Sequence, residues 1–154
     1  GSVLVPVVEL AEQIALARSA NLMFHYSGND RFKKISGRAM EFVARDSVAL
    51  DTITEAGILA ADLEIKEAPL HVAVVGSKSD KVSKELFATA LKLPTLHRRI
   101  EWVDLSEAPL PNPDVKYPQL SHPAAFVCTG KRCSMPIFDA SQLAPTVTRL
   151  TKKP

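Results

Sequence analysis

A chain of 154 residues can bury one sizeable core or two small ones and no more. Its 19 lysines and arginines stand against 17 aspartates and glutamates, and the net +2 is scattered rather than striped, which argues against a nucleic-acid-binding surface. No apolar run approaches the ~18 residues that a membrane span needs and no cleavable signal opens the chain, so a soluble, cytoplasmic protein with no membrane partner is expected. The basic pairs Lys33-Lys34, Arg98-Arg99, Lys131-Arg132 and Lys152-Lys153 read as solvated faces. Gly1-Ser2 reads as a cloning remnant and Val3 begins inside a helical pattern, as a piece of a longer protein would.

From Pro6 to about Tyr26, Val7, Leu10, Ile14, Ala17 and Leu22 recur at helical spacing, and Ser27-Gly28-Asn29 ends the run. Asn29 or Asp30 can cap a second helix. In it Phe32, Ile35, Ala39, Phe42 and Val43 form the apolar stripe, and Arg31, Lys34, Arg38 and Glu41 the wet face. A third helix is predicted from about Ser47 to Glu67, apolar on most sides, so the faces around Ile53, Ile58 and Leu59 should lie open unless a neighbour covers them.

Pro69 changes the period. Leu70–Val75 is a continuous apolar run of the length of a buried strand, and a helix from about Ser79 to Leu93 follows, with Val82, Leu86 and Ala90 inward. Arg99–Leu105 reads as a strand parallel to the first. The segment Ser106–Pro123 holds five of the chain's 11 prolines and should be a long wrapping loop. Ala124–Thr129 and Arg132–Phe138 flank Gly130-Lys131 as a hairpin whose second strand Pro136 restricts. Asp139 can cap a last helix, with Gln142 in capping-box position and Pro145 kinking or restarting it. The fold class is therefore α/β, with a helical portion over 3–68 and an α/β portion over 69–154.

Two places can hide chemistry. The turn Gly76-Ser77-Lys78-Ser79-Asp80 leads into a helix, where backbone N–H groups and serines can cradle phosphate, so Gly76, Ser77 and Ser79 are candidate ligand-binding residues of a small-metabolite or phosphate-binding enzyme. Asp80 opposes an anion there, and a plain cap by Ser77 or Ser79 explains the same residues. Cys128 and Cys133 face one another across the predicted hairpin; free, partly buried thiols come first, a cross-strand disulfide second, and a redox sensor would follow from the latter. A metal needs two more ligands, which His25, His71, His97 and His122 do not supply at any useful spacing, so no metal and no cofactor is expected. His122 beside a thiol lacks the third group of a nucleophilic site. Glu101, Asp104 and Glu107 read as wet carboxylates and Trp102 as core. No catalytic constellation is complete.

The element order β-α-β, crossover, β-β-α resembles the thioredoxin fold, with Pro123 at the place of that fold's cis-proline and no Cys-x-x-Cys where the first helix begins. GSKSD is similar to the substrate loop of class I carboxyaminoimidazole-ribonucleotide mutases, but those enzymes carry it at the chain start and need a later glycine-alanine-histidine segment. The segments YSGNDRF, GRAMEFVA, AGILAADLE, APLHVAVVG, RIEWVDLSEAPLPNPDVKYPQL and HPAAFVCTGKRCSMPIF together resemble, over Val3–Leu150, the C-terminal end of bacterial thioredoxin-domain-containing proteins of unknown function that include the spermatogenesis-associated homologues. The resemblance implies the last helices of an α/α toroid, then a closing thioredoxin-like domain. It implies a non-catalytic accessory role whose partner is the remainder of the same polypeptide, with self-association of the isolated piece. No catalytic residue is carried over.

Overall fold

A computed structural model describes residues 8–50, 56–130 and 132–152. The chain divides into two compact units, Gly1–Glu67 and Ala68–Pro154.

In the first unit, α1 (Leu10–Ser27) ends on Gly28, whose positive φ lets its N–H return to the Phe24 carbonyl. Helix α2 (Asp30–Val43) is capped by Asn29, which accepts the Arg31 N–H. Small residues let these helices approach closely: Ser36 Oγ donates to the Ala17 carbonyl at 2.8 Å. The predicted single helix over 47–67 is corrected. A one-turn α3 (Asp46–Ala49) and a separate α4 (Ala56–Lys66) flank residues 51–55, which lie outside the described residues, as does Ile53. Helix α4 is tied to α1 by a two-pronged ion pair, Arg18 Nε and Nη2 donating to Glu64 at 2.8 and 2.7 Å. The unit's core is thin: Ile14, Val43 and Ala61, with Leu10, Met40, Phe42 and Ile58 against them. On α4, Leu59 is 73% exposed and Leu63 54% exposed.

The second unit is a four-stranded mixed sheet in the order β2-β1-β3-β4. The apolar run of β1 (Leu70–Val75) is buried throughout, as its composition requires, and pairs parallel with β2 (Arg98–Val103) and antiparallel with β3 (Ala124–Thr129). The predicted second hairpin strand shortens to β4 (Arg132–Cys133) and a single bridge from Ile137 to Ala125, because Pro136 has no N–H for a continuing ladder. Helix α5 (Lys81–Leu91) and α6 (Leu143–Thr151) pack against one face with Val72, Val74, Ala125 and Val127, and Leu86 is fully buried between them. Val82, expected inward, is 41% exposed, since the inward stripe runs through Ser83, Leu86 and Ala90. Asp139 starts a short 3₁₀ turn, Ala140–Gln142, by accepting the Ser141 N–H. Helix α6 begins only at Leu143, so Pro145 sits in its first turn, where a missing N–H costs nothing and no kink is needed. The bond before Pro123 is trans rather than cis.

Candidate functional site

Strand alternation decides which side chains meet on the second sheet face. His71 lies opposite Arg99, and Ala73 opposite Glu101, so His71, Arg99 and Glu101 project to the side away from α5 and α6. There His71 Nε2 donates to Glu101 Oε2 at 2.8 Å, and Arg99 Nη2 forms an ion pair with the same oxygen at 2.9 Å. Arg99 is only 2% exposed. Its remaining reach goes to the loop after β2: Nη1 donates to Asp114 at 2.7 Å and Nη2 to the Asn112 carbonyl at 2.7 Å. The reading of Arg99 as a solvated residue and of Glu101 as a wet carboxylate is thereby corrected, because the proline-rich segment 104–123 covers the face on which they stand.

Between that segment and the strands lies a cleft of about 460 Å³, walled by His71, Glu101, Trp102, Pro109, Asp114 and Tyr117 among others. Tyr117 stands edge-on to His71, ring centroids 6.3 Å apart, and leans on Phe126 at 5.2 Å. Its hydroxyl is buried with no hydrogen-bond partner. Burial, then the nearby Glu101 and Asp114, pushes the phenol well above its ordinary pKa. Trp102 turns toward α5, stacking on Phe87 at 4.7 Å and donating from Nε1 to the Gly76 carbonyl at 2.9 Å.

Several donors of the Gly76–Asp80 loop are already engaged. The helix cap is Asp80 and neither serine, accepting from the Val82 and Ser83 N–H groups at 2.7 and 3.0 Å, because it directly precedes the first helical residue Lys81. Ser77 and Ser79 bond one another at 2.9 Å. The Lys78 N–H donates to Asp104 at 2.8 Å and its ammonium to Glu107 at 2.6 Å. Asp104 is held down at about 2 by the Ser106 hydroxyl first, then by the Lys78 and Ser106 N–H groups. A smaller cleft of about 300 Å³ beside Gly76 and Ser77 thus carries two carboxylates, Asp80 and Asp104, where a phosphate would need donors.

Cys128 and Cys133 are joined in a disulfide, which corrects the expectation of free thiols: they are direct partners across the β3–β4 pair, so their side chains share a face. His122 precedes β3 whereas Cys128 lies near its far end, roughly 20 Å along the strand, so they form no catalytic pair. Among the described residues, no group of three or more His, Cys, Asp or Glu is arranged to hold a metal, and no helix is long and apolar enough to cross a membrane. No protein-family model, no curated protein and no solved structure matches the chain.

The residues that sequence reasoning passed over are His71, Arg99, Asn112, Asp114 and Tyr117. One signal pointed to them. Arg99 and Glu101, opposite charges two apart on a strand, alternate with apolar Ile100 and Trp102, and a loop too proline-rich for helix follows.

Proposed function

We propose that this chain is a non-catalytic accessory domain, the C-terminal part of a larger thioredoxin-domain-containing protein of the family its segments resemble. Its helical unit would be the end of an α/α toroid and its α/β unit a closing thioredoxin-like domain without the Cys-x-x-Cys motif. The principal partner would be the rest of the same polypeptide. The observation that carries this reading is the outer face of α4, where Leu59 and Leu63, one turn apart, are exposed on a helix whose only buried residue is Ala61. The strand order β2-β1-β3-β4, with only β1 and β2 parallel and α5 and α6 on one face, supports the thioredoxin-like part. We expect the chain alone to bind an apolar-surface dye or self-associate in sedimentation, and Leu59→Glu with Leu63→Glu to abolish both. A wild-type monomer without dye-accessible apolar surface would sink the proposal.

A second reading, a small-ligand-binding domain, is favoured by the cleft over His71 and Glu101 with its unpartnered Tyr117 hydroxyl. It moves the ligand site away from Gly76, Ser77 and Ser79, whose loop is already occupied by carboxylates. A metabolite panel in a thermal-shift assay tests it. The expected shift is lost in Tyr117→Phe, and no shift with any compound removes the reading.

A further inference from the structure

The β3–β4 hairpin is short: Cys128 pairs with Cys133 and Thr129 with Arg132, and Gly130 turns the chain at a φ of 56°. The two bonded residues differ in burial. Cys128 is 3% exposed, on an interior strand, and its register partner on the other side is His71 of β1. Cys133 is exposed on a two-residue strand at the sheet edge. The bridge spans a sequence separation of only 5, so the loop it closes is among the smallest, and the constraint a disulfide places on the unfolded chain weakens as that loop shortens. The hairpin has other ties: the Ser134 N–H donates to the Val127 carbonyl at 2.8 Å, and the Val127 N–H donates to Ser134 Oγ at 3.1 Å. A bridge that closes so small a loop constrains the unfolded chain less than a long-range one would, and it joins an exposed residue to a buried one, an arrangement suited to exchange.

We propose that Cys128–Cys133 is a thiol–disulfide exchange centre that takes two electrons from a dithiol reductant, with Cys133 the sulfur attacked and Cys128 the sulfur that leaves. In the first step a thiolate of the reductant gives its electron pair to Cys133 Sγ. The Cys128–Cys133 bond breaks, and its pair departs with Cys128 Sγ as a thiolate. The reductant's second thiol, deprotonated, then attacks its own sulfur in the mixed disulfide and expels Cys133 as a thiolate. The two protons given up by the reductant end on Cys128 and Cys133, so the net change is one dithiol oxidised to a disulfide and one protein disulfide reduced to two thiols. The order of attack follows from access alone, since no thiolate reaches Cys128 without opening the sheet. Reduction releases β4 from its covalent tie while β1 and β3 keep their ladder, so the change is confined to the β4 edge of the sheet. The proposal is independent of whether the chain belongs to a longer protein.

The test is equilibration of the whole chain in graded mixtures of reduced and oxidised glutathione without denaturant, followed by acid quenching, alkylation and peptide mass spectrometry. We expect reversible reduction with unchanged circular dichroism, and a trapped glutathione adduct on Cys133. Hydrogen exchange should show lost protection over residues 129–134 on reduction and none in β1. Cys128→Ala, which leaves Cys133, should be alkylated readily in the folded protein, whereas Cys133→Ala should resist alkylation until unfolded. Because both variants lack the bridge, comparing them separates access from loss of stability. A bridge that yields only on unfolding, an adduct on Cys128, or two thiols that stay free in oxidised glutathione would each overturn the proposal.

Discussion

On one face of the sheet, Val72, Val74, Ala125 and Val127 meet Leu86, Leu143 and Val147 of the covering helices through hydrocarbon alone, whereas on the other His71, Arg99 and Glu101 are buried beneath an irregular segment. The difference follows from what covers each side. A helix satisfies its own backbone and offers the sheet an apolar stripe, so its partner strands need only be apolar. The segment 104–123, with five prolines, cannot satisfy its carbonyls internally, and Arg99 supplies donors to it at Asn112 and Asp114. A charge buried this way is retained only with partners on several sides, and Arg99 has Glu101, Asp114 and the Asn112 carbonyl.

The largest break in that comparison is expected at Arg99. Arg99→Met should cost about 3–5 kcal/mol in urea unfolding, because Glu101 is left buried without its cation. Replacing Glu101 by Leu in the same chain should recover much of the loss, since the carboxylate no longer needs pairing. A cost of Arg99→Met no larger than that of a typical surface change would show that the loop face is not held by charge. Next comes the helix face: Leu86→Ala should cost about 2–5 kcal/mol, with no second substitution of a polar partner able to rescue it.

Smaller effects separate the cap from its rivals. Asp80→Ala should cost about 0.5–2 kcal/mol, while Ser77→Ala and Ser79→Ala change thermal stability little, because the Val82 and Ser83 N–H groups lose their acceptor only in the first. The reverse ranking would return the cap to a serine. The smallest effect concerns acid. Asp104 sits at about 2 in the folded chain against an ordinary value of about 3.9, so the stability it contributes is present above the ordinary value and disappears as pH falls toward 2. Asp104→Asn should therefore lower the melting temperature near neutrality, converge on the wild type as pH falls toward 2, and so flatten the profile between about pH 4 and pH 2. An unaltered acid limb would remove Asp104 from the account.

The strands β1 and β3 were legible to the residue, because uninterrupted apolar runs bounded by Pro69, Gly76 and Pro123 admit no other reading at that length. The end of α1 was legible from Gly28, and the start of α2 from the pair Asn29 and Asp30, of which Asn29 is the cap. The Arg99 cluster was not, since a basic pair on a strand looks the same whether both residues face water or one turns under a distant loop. Only the three-dimensional course of residues 112–117 distinguishes the cases. The cap was misassigned because three capping residues, Ser77, Ser79 and Asp80, lie within four positions, and propensity ranks them almost equally. The disulfide was foreseen only as second choice, its register being fixed by a two-residue strand too short to read.

The placement of β1 at the middle of the sheet also has a consequence for synthesis. Its second neighbour, β3, lies roughly 50 residues further along the chain, so as the polypeptide leaves the ribosome the most apolar strand emerges well before one of the two strands that will flank it. Until Thr129 is clear, Leu70–Val75 can pair on one side only, and the nascent chain carries an open apolar strand edge that a holding chaperone is suited to cover.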